Sequence, residues 1–180
     1  SLSCSGIILQ SMLRNNLAEP GLLGISAGAG LGAILIFILP FSLPFILITP
    51  VSFLFALVTT FIIFKFAKGL GGKFAGFIST DKIILTGIAV SALISSLNGF
   101  LLLISGSSMT QIIYWLNGGF SGRGWNEFYS GFFFILAGLM GSLFISKDLN
   151  VMNLGEELSV SLGLNLKRFQ KLSIIFSSLL

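Results

Sequence analysis

The stretch IILTGIAVSALISSLNGFLLLIS, residues 83–105, holds 23 consecutive uncharged residues. As an α-helix it spans about 34 Å at 1.5 Å per residue, enough to cross the ~30 Å hydrocarbon core of a bilayer. The rest of the 180-residue chain has the same character, because hydrophobic residues make up 54% of it and charged residues only 9%. A soluble domain carries roughly 25% charged residues. The composition therefore predicts an all-α, polytopic transmembrane helical bundle.

Further apolar runs on both sides of this stretch predict the remaining membrane spans. Charges and prolines delimit predicted spans at about 1–13, 22–39, 51–65, 83–105, 128–146 and 172–180. The first and last runs are shorter than the ~20 residues that a spanning helix needs, so we interpret them as partial spans. Pro44 and Pro50 predict a turn near residues 40–50. We therefore expect one transmembrane domain over 1–180, an internal piece of a longer polytopic protein.

The positive charges are distributed unevenly between the predicted connections. Nine of the ten Lys and Arg residues lie in alternate connections: Arg14, Lys65, Lys68, Lys73, Lys82, Lys147, Lys167, Arg168 and Lys171. Only Arg123 lies in a connection of the opposite set. Because cytoplasmic loops are enriched in Lys and Arg, this distribution predicts that residues 14–21, 66–82 and 147–171 are cytoplasmic.

The sequence lacks the residues that several function classes require. It contains no His and one Cys, Cys4, so we expect no disulfide framework, no Cys/His metal site and no Ser-His or Cys-His catalytic pair. No predicted span contains a charged residue apart from Lys65 at the end of 51–65, which argues against an ion-driven carrier and an intramembrane enzyme. The basic residues are too dispersed for nucleic-acid binding. We expect a protein that is not an enzyme, binds no cofactor or metal, and receives its energy from outside the membrane.

Small residues recur at helical spacing in two of the predicted spans. Gly24, Gly28 and Gly32 lie four residues apart, and the later span repeats this spacing at Ala137, Gly138, Gly141 and Ser142. Such faces allow two helix backbones to approach closely in lipid. The glycines at 28–32 lack the preceding strand and the third glycine of a nucleotide-binding motif, so packing is the favoured role.

Residues 153–163, NLGEELSVSLG, are predicted to form a short amphipathic helix in the last cytoplasmic loop. Asn153 and Glu156 form a capping-box-like pair at its start, and Gly163 is a typical terminator. Its apolar stripe consists of Leu154, Leu158 and Leu162. Such a short helix is marginally stable alone, so it must lie on the bilayer surface or dock into a groove of a partner protein. Glu156 and Glu157 favour the groove, because an anionic bilayer surface prefers lysine.

Three segments of the chain resemble, in order, motifs of the FecCD-type permease family: RNNLAEPGLLGISAGAGLGA (14–33), IIYWLNGGFSGRGW (112–125) and NLGEELSVSLGLNLKR (153–168). Asn16 departs from the family pattern, which usually has proline there. The resemblance covers essentially the whole chain. It implies the ABC importer type II permease fold and a membrane subunit of ATP-binding-cassette importers for iron-siderophores, haem or vitamin B12.

The resemblance also implies partners and a location. Members of the family work as homo- or heterodimers with cytoplasmic ABC ATPase subunits and an extracytoplasmic substrate-binding protein. We therefore expect a multi-pass protein of the bacterial inner (plasma) membrane that moves an iron-siderophore inward, driven by ATP hydrolysis on the partner. The alternative is an ion-coupled secondary transporter, which needs inverted repeats or broken helices around an ion site. Pro44 and Pro50 are the only hint of broken helices.

The resemblance assigns roles to three groups of residues. The family's coupling element, which docks on the ATPase, corresponds to Leu154, Gly155, Glu156, Glu157, Leu158, Leu162 and Gly163. The gate and pathway group consists of Ser79, Thr80, Asp81 and Asn98. A short external helix is expected within residues 109–127, where the residues expected to dock the binding protein are Arg123 and Glu127.

Each of these roles has a plain structural alternative. Ser79, Thr80 and Asp81 can form the N-cap and first turn of the helix that follows them. Arg123 and Glu127, four residues apart, can form a surface ion pair. The Asn98 side chain can hold two helices together by a hydrogen bond instead of facing an aqueous path.

Overall fold

A computed structural model describes residues 1–39, 44–69, 80–119 and 124–180. The helices in these ranges are α1 (Leu2–Leu13), α2 (Ile25–Ile38), α3 (Ile48–Gly69), α4 (Thr80–Ile104), α5 (Met109–Leu116), α6 (Trp125–Phe144), α7 (Ser146–Asn153), α8 (Glu156–Ser161) and α9 (Leu166–Leu179). Short 3₁₀ turns, Phe45–Leu47 and Gly106–Ser108, precede α3 and α5. No strand occurs in the described ranges, and the predicted all-α fold is confirmed.

Three of these helices, α3, α4 and α6, are long and apolar enough to cross a membrane. The prediction of a span at 51–65 was too narrow, because α3 extends over Ile48–Gly69. Pro50 lies in the first turn of α3, where a backbone N–H has no acceptor within the helix and proline is tolerated. The prediction for the last span was late, because α9 begins at Leu166 rather than at 172.

The helix α2 begins at Ile25, three residues later than predicted, after a series of turns. Hydroxyl groups of the neighbouring helices bind the carbonyls of these turns: Ser91 on α4 donates to Gly21 over 3.1 Å, and Thr60 on α3 donates to Leu23 over 3.4 Å. Lipid offers no hydrogen-bond donors, so irregular backbone at membrane depth needs such partners. The start of α2 is therefore held between α3 and α4.

The predicted glycine face of α2 packs against α3. A Cβ on Gly28 would stand 2.8 Å from the carbonyl oxygen of Phe55, and one on Gly32 would stand 3.1 Å from the Cα of Ser52. The first distance is shorter than real Cβ atoms show, and the second is so tight that the neighbouring atom would have to move by a few tenths of an ångström. The glycines thus let the two helix backbones come together, and the packing role predicted for them is confirmed.

A second close contact joins α6 to α9. Gly138 and Gly141 of α6 are buried, and a Cβ on Gly138 would stand 2.8 Å from the Cγ of Leu180. Ala137 is exposed in the described chain, so it takes no part in this contact. At the other side of α9, the Ser5 hydroxyl of α1 donates to the carbonyl of Ser177 over 2.9 Å.

The core that positions the candidate site joins α1, α7 and α9. Its nearly fully buried side chains include Leu9, Met12, Met152 and Phe169. Because Met152 lies near the end of α7, this core anchors the short helices that follow α6.

Candidate functional site

The segment between the long helix α6 and α9 consists of two short helices joined at a glycine; we call residues 146–163 the α7–α8 segment. Gly155 has φ 115°, a backbone conformation that favours glycine, and it separates the two helices. The predicted continuous helix over 153–163 was therefore wrong. Asn153 is the last residue of α7, and Gly155 occupies the N-cap position of α8, so the predicted Asn153 cap was also wrong.

A buried serine fixes α8 against α7. The hydroxyl of Ser159 is completely buried, donates to the carbonyl of Val151 over 2.8 Å, and also contacts the carbonyl of Gly155. A helix of six residues is not stable alone, so this link defines its orientation. Nothing in the leucine periodicity indicated a role for Ser159.

The end of α8 is a Schellman motif. Gly163 has φ 88°, its N–H donates to the carbonyl of Val160, and the N–H of Leu164 donates to the carbonyl of Ser159, each over 2.9 Å. These bonds satisfy carbonyls at the end of the helix. The predicted role of Gly163 as helix terminator is confirmed.

Four apolar side chains of the α7–α8 segment point outward. Each of these four side chains is more than half exposed: Leu154, Leu158, Val160 and Leu162. Nothing in the described part of the chain covers this face. The sequence pattern identified the three leucines, but it missed Val160, which does not fall on an i, i+4 stripe.

Glu156 and Glu157 occupy the first turn of α8, where the helix dipole favours negative charge. Burial raises the pKa of the Glu156 carboxyl; the nearby Arg14 guanidinium opposes that rise, and Glu157 adds to it. One carboxylate oxygen of Glu156, Oε1, is buried and has no hydrogen-bond partner among the described residues. The carboxyl of Glu157, in contrast, belongs to an exposed residue.

Arg14 brings the end of α1 to this site. It is the C-cap residue of α1 with φ 47°, and a Cβ on Gly155 would stand 3.9 Å from its Nη1. Its guanidinium is therefore next to the joint between α7 and α8 and close enough to influence Glu156. The sequence placed Arg14 only in the first cytoplasmic loop. In the sequence, Arg14 and Glu156 share only one feature: each lies in a segment that resembles a motif of the same family.

Two of the predicted gate residues, Thr80 and Asp81, lie at the start of α4. Thr80 is the first residue of α4, and Asp81 is exposed in its first turn. Ser79 and the side chain of Thr80 lie outside the described residues. Asn98 lies about 25 Å further along the same helix, so the structure does not bring it close to Asp81.

Asn98 links α4 to α2. Its Nδ2 donates to the carbonyl of Ala27 over 3.1 Å, while its Oδ1 is buried and finds no partner in the described ranges. This bond agrees with the helix-joining alternative for Asn98.

At the other end of the bundle, Glu127 caps α6. Its Oε2 accepts the backbone N–H of Gly124 over 2.8 Å, an interaction that the sequence had not indicated. Arg123 lies outside the described residues, so the predicted pair of Arg123 and Glu127 stays a prediction. The expected short helix before them is confirmed as α5, Met109–Leu116.

Comparisons with known proteins agree with this architecture. The model of the FecCD transport family matches residues 1–180. The cobalamin import system permease protein BtuC of Halobacterium salinarum is 31% identical over 178 residues, which cover 99% of this chain and 47% of that protein. The hemin transport system permease protein HmuU of Yersinia pestis is 33% identical over 185 residues, which cover 100% of this chain and 54% of that protein.

A solved structure, described as an inward-facing conformation of a metal-chelate type ABC transporter, has a TM-score of 0.83 to this chain and 28% sequence identity. The match covers 99% of this chain and 55% of that one. The chain thus spans about half the length of the curated relatives and the structure that it matches. With the family model matched over its whole length, the chain belongs to the FecCD transport family.

Proposed function

We propose that this chain is part of the membrane subunit of an ATP-driven importer and that the α7–α8 segment couples it to a cytoplasmic ABC ATPase. The observation that carries the proposal is the pair of exposed leucines, Leu158 and Leu162, which lie one turn apart on the same face of α8 and its C-cap. Apolar side chains exposed on α3, α4 or α6 can face lipid, but α8 is too short to cross a membrane. An apolar face on a short helix beside charged residues fits a groove of a partner protein.

The rigidity of the segment supports this role. The Ser159 hydroxyl holds α8 against α7, and the Schellman motif at Gly163 fixes the turn that follows α8. Met152 anchors α7 in the core formed with α1 and α9. A displacement of α8 by a partner therefore passes to these two helices instead of being absorbed by a flexible loop. Gly155 supplies the joint, and Leu154, Glu156 and Glu157 surround the contact.

The substrate class that we propose is a metal chelate, with iron-siderophore as the first candidate and haem and cobalamin as the others. Relatives carry the names cobalamin and hemin import permease, and the matched structure is described as a metal-chelate type transporter. A second permease copy and an extracytoplasmic binding protein complete the proposed assembly, in the plasma membrane.

Within that assembly we assign the remaining residues to two ends of a pathway. We assign Thr80 and Asp81, at the start of α4, to the inner gate together with Ser79. We assign Glu127, in the first turn of α6, to the docking surface of the binding protein together with Arg123. Asn98 connects α4 to α2 and sets the position of the pathway helix.

The test replaces Leu158 and Leu162 together by Asp in the complete transporter. We expect normal insertion of the protein into the membrane, because both side chains are exposed, at 57% and 64%. We expect loss of substrate-stimulated ATPase activity and of uptake, because two carboxylates cannot enter an apolar groove without partners. Both activities are measured in proteoliposomes together with co-purification of the ATPase subunit.

The control is Leu17→Asp, the same substitution at an 82% exposed leucine of the first predicted cytoplasmic loop. We expect this variant to keep coupling. Intact coupling in the double variant, or equal loss in the control, contradicts the assignment of the docking face to α8. Uptake that persists without ATP but stops when an ion gradient is dissipated supports the secondary transporter instead. Ligand binding by the associated binding protein identifies the substrate.

A further inference from the structure

An amphipathic cavity of about 590 Å³ lies between the end of α6, α7, the α8–α9 turn and α9. Its apolar wall includes Phe144, Leu172 and Phe176, and its polar wall includes Asp148, Asn165 and Arg168. Leu162 and Gly163 also line it, whereas Leu158 does not. The cavity thus adjoins the docking face.

The position of the cavity coincides with the boundary between apolar and polar parts of the chain. The membrane-length helix α6 ends at Phe144, whose side chain is 80% exposed, and Lys147 follows within one turn. On α9, exposed Lys167, Arg168 and Lys171 precede the apolar turns that carry Phe176. A molecule that fills this cavity therefore has an apolar part at one end and a polar part at the other.

The charges near the cavity determine which kind of polar headgroup fits its polar end. Two charged side chains line the cavity, Arg168 and Asp148. Three further cations are exposed and directly precede a lining residue in the sequence: Lys147, Lys167 and Lys171. Basic pockets between membrane helices on the side rich in Lys and Arg bind anionic lipid headgroups. A zwitterionic headgroup would bring an ammonium group into the same cluster of cations.

We propose that this cavity binds one anionic phospholipid, with its phosphate on the Arg168 guanidinium and an acyl chain along Phe144 and Phe176. Asp148 repels a phosphate but accepts hydrogen bonds from hydroxyl groups, so a headgroup with free hydroxyls, such as phosphatidylglycerol, fits the polar wall. The Asn165 side chain caps α9 by accepting the Arg168 N–H over 3.1 Å, which fixes the helix turn that presents the guanidinium.

The experiment places a reporter at the apolar wall. Phe144→Trp, with Trp115→Phe and Trp125→Phe, leaves one indole in this 180-residue sequence, at an exposed position beside the cavity. The full chain is reconstituted in vesicles containing brominated phosphatidylglycerol or brominated phosphatidylcholine, and quenching of the indole gives their relative association constants. We expect about fivefold preference for phosphatidylglycerol.

Two charge variants test the headgroup contact. Arg168→Gln keeps the helix cap, because Asn165 binds the backbone N–H, and it should reduce the preference to about one. Lys65→Gln removes an exposed charge at the end of α3 and should leave the preference unchanged. Equal quenching by both lipids in the parent protein overturns the proposal. So does a preference that survives Arg168→Gln, or one that Lys65→Gln reduces equally.

A second measurement avoids the tryptophan substitutions. Native mass spectrometry of the otherwise unaltered full chain, equilibrated with equal amounts of the two lipids, counts the molecules that remain bound. We expect one retained phosphatidylglycerol in the parent and its loss in Arg168→Gln. Retention of neither lipid by the parent, or of both equally, overturns the proposal even if the Phe144→Trp variant does not fold.

Discussion

The α2–α3 contact and the α7–α8 segment consist of the same kinds of residue: glycine, a serine or threonine, and aliphatic side chains. They differ in how far the rest of the chain covers them. At the α2–α3 contact, Gly28 and Gly32 are buried against α3, and the neighbouring hydroxyl of Thr60 is bound. In the α7–α8 segment, Ser159 is equally buried, yet Leu158 and Leu162 are exposed.

The difference separates what the chain needs to fold from what it offers to a partner. The glycine contact is complete within the described chain, so changes there should act on stability. The leucine face takes part in no core of the described chain, so changes there should act on association and leave stability nearly unaltered. The substitutions below test this division, beginning with the largest expected effect on stability.

Gly28→Ala should cause the largest loss of stability. Its new Cβ would stand 2.8 Å from the Phe55 carbonyl oxygen, and a backbone atom cannot move aside as a flexible side chain can. We expect the free energy of unfolding to fall by about 1–3 kcal/mol or more, because α2 must shift away from α3. Titration with a denaturing detergent measures it.

Gly131→Ala in α6 is the matched control, because nothing lies within 4 Å of its added Cβ. Alanine is the better helix former, so we expect no loss and a gain of up to about 1 kcal/mol. Equal destabilisation by both substitutions would mean that the α2–α3 contact has no special role.

Ser159→Ala should have the next largest effect, and it tests whether the α7–α8 segment has a rigid inner side. The substitution removes the donor to the Val151 and Gly155 carbonyls. We expect a local loss of about 0.5–1.5 kcal/mol, measured as faster hydrogen exchange of the α8 amides. Ser161→Ala, at an exposed serine of the same helix, should leave the exchange nearly unchanged. Equal exchange in the two variants contradicts the rigid link.

Asn98→Leu should have a smaller effect, and it separates the two roles of this residue. Leucine removes the bond to the Ala27 carbonyl, but it also removes the buried Oδ1 that has no partner in the described chain. We expect a loss of about 0.6 kcal/mol, the average for such bonds between membrane helices. Normal stability with defective uptake would instead support a direct role of the amide in the pathway.

The parts of this molecule that follow from local pattern could be predicted from the sequence, and the parts that depend on distant contacts could not. The uncharged run at 83–105 identified α4, and the leucines and Gly163 identified the α8 face, since hydropathy and spacing are local properties. The break at Gly155 was missed, because helical periodicity continues through it. The proximity of Arg14 to Glu156 depends on the packing of α1 against α7, which no local pattern contains.

Glu156→Gln should have the smallest effect, and its sign depends on pH. Burial raises the pKa of Glu156 in the folded protein above the ordinary value of 4.5. Just above pH 4.5, the folded protein therefore still holds a proton that the unfolded chain has already released. The parent protein therefore loses stability as the pH rises through this window. Glutamine removes the ionisation, so the variant should be more stable than the parent at pH 7 and should lose this advantage below about pH 4.5.

Unfolding measured between pH 4 and pH 7 gives this difference, with the exposed Glu157→Gln as its matched control. Arg14→Gln should instead lower the stability of the protein at pH 7, because it removes the charge that opposes the rise of the Glu156 pKa. A Glu156→Gln variant that is less stable than the parent at pH 7 would mean that the attraction of Arg14 outweighs the cost of burial. An ion pair between Arg14 at the end of α1 and Glu156 on α8 would then hold the two helices together. The joint at Gly155 would in that case be as completely covered as the α2–α3 contact.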